Sequence, residues 1–244
     1  MSPRPMKTIM FKGRRLKVEN RTTLQRHYNK TPTTVRNFIS GTLTKKGARD
    51  AINAGEKIPK NLTLRIYHTP AVRGQQSATN MASGHIGAGK GKISDSRSLG
   101  KIAKTGRDAL HEEAPIRDFT KVDYANWNQT VRKWLDGKID KEVMQPPGEF
   151  LKTLVRTQLA IGERARRQGA KGYELLNVSH DLVVVAAFEG LTGIKLNPKS
   201  KLWPSYGNGL HLYHVKDRKA NRIILQYKRK RYDVTKKFNE LMKR

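Results

Sequence analysis

A chain of 244 residues with 36% hydrophobic content can bury one substantial core, and it is too short for a second full domain beside it. Its 50 Lys and Arg against 20 Asp and Glu give a formal charge of +30, a field that draws polyanions but says little about chemistry. The absence of cysteine excludes disulfides, thiolate nucleophiles and Cys-type zinc sites; no stretch reaches the ~18 apolar residues of a membrane span, and the N-terminus lacks the unbroken apolar core of a secretory signal.

In chain order, residues 1–19 read as a basic arm with six Lys or Arg against one acid, a character that also fits a transit peptide. Thr22 to Gln25 forms a short strand that leads into Arg26 and His27, so His27 falls at a strand's C-terminal end, where open α/β sheets bind ligands. Leu43 to Lys57 reads as a helix with Thr44 as N-cap, ended by Pro59. Leu62 to Tyr67 alternates as a second strand, and a helix from about Ala71 to Met81 follows the loop His68-Thr69-Pro70. Residues 83–100 are rich in Gly, Ser and Lys and are expected as a mobile loop.

Further along, residues 123–136 form a helix carrying Trp127 and Trp134, and a longer helix runs from Glu149 to about Gln168. Leu175 to Ser179 is a largely apolar strand ending at His180 and Asp181, and the apolar run Leu182 to Phe188 is a buried helix. Leu210 to Val215 and Arg222 to Tyr227 pair as a hairpin, with a basic helix from Thr235. The last thirty residues hold twelve Lys or Arg against three acids.

Arg26-His27, Gly41-Thr42-Leu43-Thr44-Lys45-Lys46-Gly47, Pro70 with Arg73, Gly148-Glu149 and Ser179-His180, taken in this order, resemble the histidine phosphatase superfamily from about residue 22 to 195. The resemblance implies a three-layer α/β/α sandwich with a mostly parallel central sheet, phosphoglycerate mutase-like. It also implies hydrolysis of phosphomonoesters through a covalent phosphohistidine on His27, with no cofactor. Arg26, Arg73 and His180 take the family's positions for a clamp on the phosphoryl group; arginine suits it because its planar fork donates two aligned hydrogen bonds while staying charged.

Residues Arg26 to Pro32 also resemble the Arg-His-Gly-x-Arg-x-Pro pattern of the acid phosphatase branch, with two departures. Tyr28 replaces a glycine and Lys30 replaces the second arginine; Lys30 and Asn29 remain candidates for binding substrate. The leaving group needs a proton donor. Glu112, with Glu113 beside it, resembles the acid of the small phosphatase and mutase branch, and Asp181 that of the phytase branch. The short chain and the helix start at Pro147-Gly148-Glu149 favour Glu112, with Glu113 and Asp181 close to substrate.

Other patterns carry less. Gly84 to Gly91 nearly spells a phosphate-binding loop but ends in Gly where Ser or Thr must hold magnesium. His211 and His214, three apart on a strand, point to opposite faces and share no metal, and no metal site is expected. Tyr206, Tyr213, Tyr227 and Tyr232 lie among basic residues and are expected to finish a sheet edge. The domain expected is 20–234, between an arm at 1–19 and a basic helix at 235–244, in a cytoplasmic protein with a phosphorylated substrate and no membrane partner. Two alternatives stand beside it: a phosphomutase, and a catalytically weak histidine phosphatase fold that binds nucleic acid or a ribonucleoprotein through its basic surface.

Overall fold

The computed structural model describes residues 8–31, 41–69, 71–87, 92–93, 103–105, 115–217 and 220–243. One nine-stranded sheet organises them, with the path β4-β3-β6-β2-β7-β8-β9. The strands are β1 Thr8–Phe11, β2 Arg14–Arg26, β3 Thr63–His68, β4 Lys92–Ile93, β5 Ala103–Thr105, β6 Tyr173–Ser179, β7 Gly209–Asp217, β8 Ala220–Tyr227 and β9 Lys230–Asp233. Strands β2, β6 and β3 run parallel, with β4 and β5 parallel to β3, and this half delivers the candidate site. Strands β7, β8 and β9 extend it antiparallel on the other side of β2, which β1 also joins antiparallel.

Helices cover both faces. On one lie α1 (Lys45–Glu56) and α2 (Val72–Gly87), burying Ala51, Ala78, Met81 and Ala82 against Leu64, Ile66, Leu176 and Val178. The other face carries α3 (Trp127–Leu135), α4 (Pro147–Leu154), α5 (Ile161–Arg167), α6 (Asp181–Thr192) and α7 (Thr235–Met242). Its larger core joins Trp134, Phe150, Leu182, Phe188, Leu210, Leu212 and Leu225. Among the described residues no helix is long and apolar enough to cross a membrane.

Four expectations change. From Thr8 onward the expected arm is strand: Ile9, Phe11, Leu16 and Val18 alternate with exposed residues and bury a small third core against Val215 and Ile224. Apolar period-two patterning there outweighs the basic composition. The basic C-terminal helix is likewise no appendage, because Phe238 is fully buried in the main core. The long helix expected at 149–168 is broken by a π-helical stretch, Val155–Leu159, between α4 and α5. Of the expected loop at 83–100, residues up to Gly87 belong to α2 and residues 92–93 to β4; the rest lies outside the described residues.

The fit of α5 against β2 rests on Gly162. A Cβ there would collide with His214 Nε2 and Thr22 Oγ1, which sit 3.1 Å apart in the core. Neither side chain has room to retreat, so Gly162→Ala is expected to cost about 1–3 kcal/mol, read as a lower urea midpoint at unchanged slope.

Candidate active site

Parallel pairing aligns two strand ends. Arg26 is the register partner of Ser179, and the His27 amide donates to the Ser179 carbonyl at 2.9 Å. His27 thus leaves β2 beside His180, which leaves β6 and serves as the N-cap residue of α6. The two imidazoles meet edge to face with ring centroids 5.4 Å apart. Both are buried, at 2% and 8% exposure.

Helix α2 brings Arg73 to this corner. Its side chain is 1% exposed, and its Nε donates to His27 Nε2 at 3.1 Å. A guanidinium can only donate, so Nε2 must offer a lone pair and the ring proton must reside on Nδ1. Nδ1 lies 2.8 Å from the Tyr28 carbonyl and donates to it. Burial is the main cause holding the His27 pKa well below its usual value, and the charge of Arg73 adds to it. The imidazole is neutral, in one tautomer, with Nε2 facing a cation.

Arg26 stands on the other side. Its Nη1 donates to the Pro204 carbonyl at 2.8 Å, and its Nη2 lies 3.4 Å from Asp181 Oδ2. Asp181, the first residue of α6, also accepts from Trp127 Nε1 at 3.0 Å and from the Leu182 amide at 2.9 Å. Lys30 shares the field: burial lowers its pKa, and repulsion from Arg73 and Arg26 lowers it further against the pull of Asp181. Burial likewise brings the Arg73 guanidinium down to about 10. His180 follows the same logic, depressed well below its ordinary value by burial and then by Arg73.

The loop after His27 is mounted on α1. Thr44 caps that helix by accepting from the Gly47 amide at 2.9 Å, and its own amide donates to the Asn29 carbonyl at 3.0 Å. A Cβ on Gly47 would strike that same carbonyl, so the Leu-Thr-x-x-Gly motif works as a mount. Asn29 enters the corner through its backbone. Tyr28 buries its ring in the smaller core, while its amide donates to Ser77 Oγ at 3.1 Å. Gly207 lies flat on that ring at φ 71°, where an added Cβ would come within 2.5 Å of Cε1.

Of the expected site residues, the structure gathers His27, Arg26, Arg73, His180, Lys30 and Asp181, with Asn29 supporting. Glu112, Glu113 and Pro70 lie outside the described residues. Two residues were missed. Tyr206, expected to finish a sheet edge, lies in the site instead: its ring is 5.6 Å from that of His27 and 4.2 Å from the Arg26 Cζ. The segment after α6 folds back over the strand ends to put it there, and no local spacing marks it. Trp127 was read only as a helix residue, yet it fixes Asp181. His211 and His214 do face opposite sides of β7, towards Thr23 and Thr22, and among the described residues no three His, Asp or Glu side chains gather as a metal-holding group.

No family model and no curated protein matches the chain. Solved structures do. YhfR of Bacillus stearothermophilus is 16% identical, covering 84% of this chain and 95% of its own, with a TM-score of 0.50. An ecdysone phosphate phosphatase from Bombix mori is 12% identical over 81% of this chain and 92% of its own, with a TM-score of 0.49. The fold is phosphoglycerate mutase-like, mostly parallel in its core with antiparallel strands added.

Four histidines weaken the fold in mild acid. Burial is the main cause that depresses the pKa values of His27, His180, His211 and His214 in the folded chain, that of His211 to about 3. The unfolded chain takes up these protons near pH 6.5 and the folded chain only at lower pH, so stability falls with acid below that point. The unfolding free energy is expected to drop between pH 7 and 5, by up to about 1.4 kcal/mol per pH unit for each histidine, and the urea midpoint to fall with it. A midpoint that rises or stays level over that range would contradict neutral burial.

Proposed function

We propose that the chain is a phosphatase that hydrolyses phosphomonoesters through a phosphohistidine on His27. The observation that carries the reading is the hydrogen-bond pair on the imidazole: Nδ1–H on the Tyr28 carbonyl at 2.8 Å and Arg73 Nε on Nε2 at 3.1 Å. The first fixes the tautomer that leaves Nε2 nucleophilic, and the second puts a cation where a phosphoryl group would arrive. Arg73 then exchanges the ring nitrogen for phosphate oxygens.

The step balances without a metal. The Nε2 lone pair forms an N–P bond, the P–O bond to the leaving group breaks, and that oxygen takes a proton from an acid. Water then attacks phosphorus, the N–P bond breaks, and the water proton returns to the acid. Arg26, Arg73, Lys30 and His180 surround the phosphoryl oxygens as charge redistributes. Asp181 serves as the anchor of Arg26: its Oδ1 accepts from Trp127 Nε1 and the Leu182 amide, and its Oδ2 lies 3.4 Å from Arg26 Nη2. The proton-donor role then goes to Glu112, with Glu113 beside it.

The test is to mix the protein with an aryl phosphate labelled in its phosphoryl group, quench into alkali and follow the label. Label bound to protein, stable in alkali and released in acid, is expected from the native chain and not from His27→Ala. Steady turnover with no such label would refute the covalent route.

A further inference from the structure

We propose that the tips of two β-hairpins, far in sequence and tied together in the fold, form a platform that binds the phosphate backbone of nucleic acid. The first tip joins β1 to β2 across Lys12-Gly13, since Phe11 pairs with Arg14. The second joins β8 to β9 across Lys228-Arg229, since Tyr227 pairs with Lys230. Arg231 links them, its Nη1 donating to the Met10 carbonyl at 2.6 Å while its Nε donates to Gln226 Oε1 at 2.8 Å. Met10 in turn is the register partner of Arg15.

Lys12, Arg14, Arg15, Lys17, Lys228, Arg229, Lys230 and Arg231 are all exposed. None forms an ion pair among the described residues. The acids placed to neutralise them are engaged elsewhere: Asp217 and Asp233 both hold Arg222, and Glu19 faces Lys171. Like charges brought together without carboxylates repel, and this arrangement disfavours the fold unless a polyanion joins it.

Backbone conformation gives an independent argument. Among the described residues, the non-glycine positions with left-handed backbone are Lys12 at φ 46° and Lys228 at φ 52°, one at each tip. Tight hairpins favour Gly or Asn at such positions, and a lysine costs conformational energy there. Lysine at both tips keeps a cation where a cheaper residue would serve the turn. Nucleic acid is favoured over a lipid surface because, among the described residues, the large apolar side chains exposed on or beside the two hairpins are Met10 and Leu202, with no exposed aromatic beside them for insertion into a bilayer.

The platform is independent of the phosphatase reading. Binding of a fluorescent DNA duplex of about 20 base pairs to the full chain would be followed by anisotropy across a salt series. The variant Lys12→Gln, Arg14→Gln, Arg15→Gln, Arg231→Gln is expected to bind at least about tenfold more weakly at ~0.1 M salt, with a salt slope flatter by up to about 0.9 per lost phosphate contact. A control, Lys133→Gln, Lys138→Gln, Lys141→Gln, Lys152→Gln, removes the same charge from exposed sites on and around α3 and α4 and should bind like the native chain, with thermal melting confirming that both fold. Equal weakening of the two variants would assign binding to net charge alone and overturn the proposal. So would an absence of DNA binding, with or without binding to phosphatidylserine vesicles.

Discussion

Replacement of His27 by alanine is expected to lower kcat/KM for an aryl phosphate by about 10⁴-fold or more, because the proposed route would lose the atom that bonds phosphorus. The charges that would bind the dianion remain: Arg26 keeps its contacts with Pro204 and Asp181, and Arg73 loses only the acceptor at Nε2. The variant should therefore still bind inorganic phosphate, measured by calorimetry, while turning nothing over. His27→Asn, which retains polar volume at a 2%-exposed position, guards against a mere loss of folding. Turnover persisting in either folded variant would remove His27 from the chemistry.

Arg73→Ala carries the second large effect. Losing one preorganised cation at a developing charge costs about 10²–10³ in kcat, and Arg73→Lys should recover little because an ammonium lacks the planar fork. The pH profile separates this from general damage. Burial and then Arg73 keep the His27 pKa low, so without Arg73 it rises toward its ordinary value. The acid limb of kcat/KM should then move to higher pH in the variant, whereas simple misfolding would scale the profile without moving it. Arg73 also packs at 1% exposure, so a lower melting temperature should accompany the kinetic loss.

Much of this corner was legible in the sequence because its parts are local. Arg26-His27 follows a strand, Thr44 is a cap followed by Gly47, and Arg73 sits one residue inside a helix. Each is a short-range pattern, and their order supplied the arrangement. What was not legible depends on chain segments meeting. Tyr206 comes from the segment between α6 and β7, about 180 positions beyond Arg26, and only the antiparallel joining of β7 to β2 carries it across the strand ends. Trp127 reaches Asp181 from α3 by the same kind of long-range packing.

The N-terminal strands are a different case. Ile9, Phe11, Leu16 and Val18 have the two-residue period of a half-buried strand, and six basic residues among the first nineteen masked it. Charge described the outward face correctly and said nothing of the inward one. The break at Val155–Leu159 left no mark either, since the wider turn arises inside an otherwise helical sequence without Gly or Pro.

The contact between Tyr28 and Gly207 also constrains how this corner can change over time. Glycine at 28 alone would empty the space the phenol fills, while enlarging residue 207 first would drive a side chain into the aromatic ring and demand a backbone that branched residues refuse. Each change is harmful in the presence of the other native residue, so the two positions are coupled: a substitution at one is tolerated best when the other changes with it.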